Sequence, residues 1–202
     1  MTAAATVQDL LRAFFPDYLR LTEPDWAQEL DLGSLSFPWD DRCELGIAAQ
    51  VSSRRGERIT ALVRIAEKAL REREVGHWLG RQARRLDLRL ADPVLVSVVA
   101  LRGGAPGVNL RTAEVSQICG DTVVRINYTT FGLEQARAEH FLERPEPLAW
   151  GLSALMQPIR WSRAAHARAY RERVLAATLD DDRRQLLLGC TTLGRQTVLE
   201  AR

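Results

Sequence analysis

The best candidate for a catalytic strand in this chain is residues 61–68, ALVRIAEK, an apolar run that ends on Glu67 and Lys68. Side chains on a strand alternate faces, so residues two apart point into one site. An acid two places before a lysine could hold a hard cation, while the lysine orients or helps deprotonate an attacking water. The residue at that place is Ala66, and a methyl group binds no ion. Glu67 is adjacent, but alternation turns it to the opposite face unless a β-bulge intervenes. Glu44 is the nearest carboxylate on the preceding apolar segment. Lys68 is the sole lysine among 28 basic residues, so arginine abundance reads as a codon bias and the retained lysine stands out.

Other chemical signatures are absent. The sequence has no GxxxxGK[ST] loop, no GxGxxG, no GxSxG elbow and no HExxH. His77, His140 and His166 stand apart without a partner at ligand spacing, which reads as exposed or capping histidines. Cys43, Cys119 and Cys190 form no CxxC pair and read as small buried hydrophobes rather than zinc ligands or nucleophiles. The five tryptophans read mostly as core anchors.

A length of 202 residues with 46% hydrophobic and 27% charged residues suits one globular domain and excludes a largely disordered chain. A net charge of +2 is too small to imply nucleic acid by itself. No apolar stretch approaches the ~20 residues of a membrane span, and residues 1–7 lack the features of a signal peptide. The expectation is a cytoplasmic protein without a membrane partner.

The elements around Lys68 follow from periodicity. Residues 7–21 carry Leu10, Leu11, Phe14, Phe15, Tyr18 and Leu19 at helical spacing, with a kink or break expected at Pro16. A short helix is expected over 23–30 with Thr22 as its N-cap, then a turn-rich stretch over 31–41. Segments 44–52 and 59–66 flank SSRRGE and predict a hairpin. A charged helix over 67–90 follows, then VLVSVVAL, whose unbroken apolar character suits a central strand covered on both faces. RGGAPG ends that strand, and 122–128 predicts another. Helices are expected over 132–143, 146–156, 162–178 and 181–189. The order implies an α/β domain with a mixed sheet flanked by helices, about 1–130, and a helical extension packed on it, about 131–202.

This order is also the frame on which restriction-endonuclease-like folds build a metal site. FFPDYLRLTEPDWAQELDL, the hairpin ending in ALVRIAEK, the charged helix and PVLVSVVALRGG resemble the recombination-promoting nuclease/putative transposase (Rpn) family of PD-(D/E)XK nucleases, and PEPLAWGLSALMQP resembles a later helix of that family. The resemblance covers roughly 7–102 and, more weakly, 132–189. It implies a restriction-endonuclease-like fold, Mg²⁺-dependent DNA cleavage, and a strand ending in an acid and then Gln or Lys. The acid position falls on Ala66 and the Gln position on Lys68. The family's aspartate on the preceding strand would fall within GIAA, 46–49, where no acid stands.

The favoured reading is therefore a non-catalytic relative that keeps a DNA- or protein-binding role and needs no cofactor. Double-stranded DNA contacts would come from Arg54, Arg55 and Arg58 of the loop and from Arg81 and Arg85 of the helix. An alternative is an active Mg²⁺-dependent endonuclease with a migrated site drawn from Glu44, Glu67, Lys68 and Glu72. A third reading is a protein-interaction or homo-oligomerisation module docking through Leu155, Met156, Ile159 and Trp161.

Overall fold

The computed structural model describes residues 3–39, 46–88, 93–116, 123–134 and 136–199. The N-terminal helical stretch breaks at Phe14 into α1 (Ala3–Ala13) and α2 (Phe15–Thr22). Pro16 lies in the first turn of α2, where its missing N–H has no helical partner to lose. α3 (Pro24–Glu29) begins on the same device. Its N-cap position is Glu23 rather than Thr22, whose hydroxyl instead donates back to the Tyr18 carbonyl at 2.8 Å.

The expected turn-rich stretch contains an edge strand, β1 (Leu30–Ser36). Its pairing with β2 (Gly46–Ser53) changes register between Asp31 and Ser36, so its sequence never shows clean alternation. β2 and β3 (Arg58–Lys68) form the expected antiparallel hairpin around Gly56, whose φ of 85° suits glycine. α4 (Glu72–Arg85) crosses back to β4 (Val94–Arg102), which lies parallel to β3. β5 (Gly107–Ser116) has no counterpart in the sequence expectations. It is the opposite edge of the sheet and pairs antiparallel with β6 (Val123–Gly132), which runs parallel to β4. The sheet is thus mixed, with strand order β1-β2-β3-β4-β6-β5.

Alternation sorts β3 cleanly between two cores. Ile59, Ala61, Val63 and Ile65 face the larger one, under α1 and α2, while Leu62 joins Val75, Trp78 and Leu79 of α4 on the other face. The larger core continues into α5 (Ala138–Glu143), α6 (Pro147–Ser153), α7 (Arg163–Ala176) and α8 (Asp181–Leu199) through Leu142, Leu148, Leu152, Tyr170, Val174 and Leu187. The helix expected over 132–143 shortens to α5 because β6 runs on to Gly132 and the chain then turns, with the Leu133 N–H on the Ala100 carbonyl and the Ala136 N–H on that of Leu133. No helix among the described residues is long and apolar enough to cross a membrane.

At the meeting of α1, α6 and α8, a Cβ on Gly151 would lie 2.8 Å from both Leu10 methyls and 2.9 Å from a Leu187 methyl. Gly151→Ala should therefore lower stability by about 1–3 kcal/mol, the usual cost of overpacking a core, as read by urea denaturation.

Individual side chains depart from expectation. Trp78 and Trp150 are buried, but Trp26 and Trp161 are 43% and 40% exposed. His166 is buried, unlike His77 and His140. Cys190 is buried as expected, and burial pushes its thiol up to about 12, so it is an inert filler. Cys43 and Cys119 lie outside the described residues. The docking face expected from Leu155, Met156, Ile159 and Trp161 is divided: Met156 is buried, whereas Ile159 is 67% exposed.

Candidate functional site

Lys68 ends β3, exposed, beside Arg102 at the end of parallel β4. Two residues earlier Ala66 pairs with Ala100 on the same face, and both methyls are buried. Glu67 shares the alternation of Ile65 and so belongs to the opposite face; no bulge interrupts the β3–β4 register between Thr60 and Ala66. On β2 the face shared with Ala66 carries Gly46 and Ala48, opposite Arg64 and Leu62. Glu44 lies outside the described residues.

Mg²⁺ requires oxygen ligands. Ala66, Ala100, Gly46 and Ala48 supply no carboxylate, and no three His, Cys, Asp or Glu side chains gather anywhere among the described residues. The described residues do not fit the ion that the resemblance implies.

What the topology does assemble is a cleft of about 500 Å³ beyond the carboxyl ends of β3 and β4. Parallel strands place their carboxyl ends, and the start of the crossover helix, on one side of the sheet, which is where open α/β sheets bind ligands. Arg71 and Arg73 reach it from the start of α4, and Arg111 from edge strand β5. Glu72 is the one carboxylate among the described lining residues. The helix start is held by Glu74, whose carboxylate accepts the Arg71 N–H at 2.7 Å while its own N–H reaches the Arg71 carbonyl at 2.9 Å. Val98, Ala100 and Tyr128 form the floor. Burial, and then the negative charge of Glu72, push the Tyr128 hydroxyl above its ordinary range, while Arg111 pulls it back. Glu72 and Arg111 therefore both act on Tyr128 across the cleft.

The far wall is the turn after β4. Gly104 has φ 85°, and a Cβ there would meet the Ala69 methyl at 3.2 Å. The Gly103 N–H donates to Glu134 at 2.6 Å, tying this turn to the end of β6.

The arginines expected to touch DNA lie elsewhere. Arg54 and Arg55 sit in the β2–β3 turn and Arg58 at the start of β3, all exposed. Ten residues of strand separate Arg58 from Lys68, roughly 33 Å. Arg81 and Arg85 occupy the last turns of α4, at the end away from the cleft, and are exposed. Glu72 is at the cleft, whereas Lys68 and Arg102 flank it. Arg111 is marked by no sequence pattern because β5 is not. Tyr128 ends the strand expected over 122–128 and Thr130 lies just beyond it on β6, and only sheet pairing brings all three beside Arg71.

No known family model, no curated protein and no solved structure matches the chain.

Proposed function

We propose that this chain is a nuclease-like protein that binds nucleic acid without hydrolysing it, holding backbone phosphate at the arginine-bearing cleft. The observation that carries the reading is the pairing of Ala66 with Ala100 beside Lys68 and Arg102, on the face where Arg71 and Arg111 converge. Cations remain where phosphate would lie, and alanines stand where metal-binding acids would be needed. The order of a three-stranded antiparallel meander, a crossover helix and a strand parallel to the third agrees with the restriction-endonuclease-like frame that the sequence resemblance implies.

Arg71 and Arg73 would act through guanidinium forks, which match phosphate geometry, aided by the N-terminal dipole of α4. Such contacts position a backbone and carry no base information, so binding should depend weakly on sequence and steeply on salt. Arg71→Glu with Arg111→Glu should weaken duplex binding about tenfold or more at ~0.1 M salt and flatten the log–log salt slope by about two. Unchanged affinity in that double variant would remove the cleft from the interface. Plasmid should stay intact with Mg²⁺ or Mn²⁺; robust nicking abolished by Lys68→Ala would overturn the non-hydrolytic reading.

A further inference from the structure

We infer that the groove between α7 and α8 is a binding site for a single-chain anionic amphiphile, with a carboxylate or phosphate head on a hydrocarbon body. The groove lies in the helical part of the chain and shares no lining residue with the arginine-bearing cleft. Its volume of about 690 Å³ falls within the range of ~300–1,000 Å³ usual for small-molecule sites.

Its shape follows from the sequence of α7. Ala164, Ala167, Arg168 and Arg171 share one face at helical spacing, and the two alanines leave room that larger residues would fill. The Tyr170 hydroxyl donates to the Leu187 carbonyl at 2.5 Å, fixing α7 against α8 so that the groove exists before any ligand arrives. Met156, Tyr170 and Leu188 give an apolar floor.

The rim is cationic, although the buried Glu139 carboxylate behind the groove acts on His166. Arg163, Arg168 and Arg171 stand at the rim, exposed, and no carboxylate is among the described lining residues. None of the three side chains makes a hydrogen bond, ion pair or ring contact with the described residues. His166 also lines the groove; it is only 5% exposed, and its Nε2 has no hydrogen-bond partner among the described residues. Burial holds the imidazole neutral, and its ring already donates to the Ala138 backbone. Nε2 is therefore an acceptor that a protic head group, such as the hydroxyl of a phosphate monoester, can satisfy, while the arginines hold the charge. Three such guanidiniums above an apolar floor match a ligand with one acidic end and one oily end. Carboxylate and phosphate fit the guanidinium fork alike.

The test is calorimetric titration of the full chain with dodecanoate and with dodecyl phosphate, each below its micelle concentration. Saturable binding at one ligand per chain is expected, with a change in tryptophan emission, because the Trp161 ring lies 6.3 Å from that of His166. Dodecyltrimethylammonium and inorganic phosphate should not bind, since each lacks one half of the required chemistry. Arg168→Glu with Arg171→Glu should weaken dodecanoate about tenfold while leaving the circular dichroism spectrum unchanged, because both side chains are exposed. Ala167→Trp, which fills the groove without altering charge, should weaken it as well. Equal binding of the cationic amphiphile, or indifference to both variants, would overturn the assignment. So would tight retention on phosphatidylserine vesicles with no uptake of the free amphiphiles, which would make the surface a membrane contact instead.

Discussion

Glu139→Ala should destabilise the fold by about 3 kcal/mol, measured by urea denaturation at neutral pH. The residue is buried on α5, and one carboxylate oxygen accepts the backbone N–H groups of Ile159, Arg160 and Trp161 at 2.7, 2.6 and 3.2 Å. These donors belong to the turn between α6 and α7, so one side chain fixes how α7 leaves the core. Burial alone would raise the Glu139 pKa, but the backbone N–H bonds outweigh it and lower the carboxyl from its ordinary 4.5 to about 2. A folded value below the unfolded one means the contribution is fully present above pH ~4.5 and is lost as pH falls towards ~2. A displacement of that size corresponds to about 3 kcal/mol, at ~1.4 kcal/mol for each tenfold change in acidity. Glu139→Gln keeps an acceptor but loses the charge, so it should cost less at neutral pH and flatten the acid limb of the stability curve between ~4.5 and ~2. An unchanged acid limb in that variant would show that other carboxylates control it.

Gly132→Ala should be comparably damaging, with a loss of about 2–4 kcal/mol and a misshapen cleft. A Cβ at Gly132 would lie 2.3 Å from the Ala105 carbonyl oxygen, and the atom in the way is backbone, which cannot swing aside. Relief would require the turn after β4 to move, carrying with it Gly104 and Ala105, which line the arginine-bearing cleft. On the proposed nucleic-acid-binding reading, the variant should lose duplex binding as well as stability, whereas Gly151→Ala, in the remote helical core, should lose stability alone. Retention of full DNA affinity by a folded Gly132→Ala protein would separate the turn from the site.

Alternation in ALVRIAEK is legible in the residues themselves, and the β3–β4 register agrees with it: Ala66 and Lys68 share a face and Glu67 does not. VLVSVVAL is legible as a central strand for a related reason, since burial on both faces demands an unbroken apolar run. β1 and β5 are not legible. Both are edge strands, partly solvated and, in β1, irregular in register, so hydrophobic pattern carries little trace of them. Arg111 is invisible as a site residue because its importance depends on that unmarked strand. The roles of His166 and Glu139 are equally hidden, because burial in a helical layer depends on how α5, α6 and α7 pack, and short helices with mixed faces do not announce it.

Residue identity and two-residue spacing are local properties, and they suffice to establish that ALVRIAEK has no acid where a metal-binding strand needs one. The elements with a strong apolar period are fixed at the same level. Which cations meet is a matter of tertiary structure. Parallel pairing brings the ends of β3 and β4 together, and β6 carries Arg111 in from the far edge. The loop arginines, close to Lys68 in the chain, lie at the other end of an 11-residue strand. Proximity in a sheet is set by pairing across strands, and no local pattern encodes it.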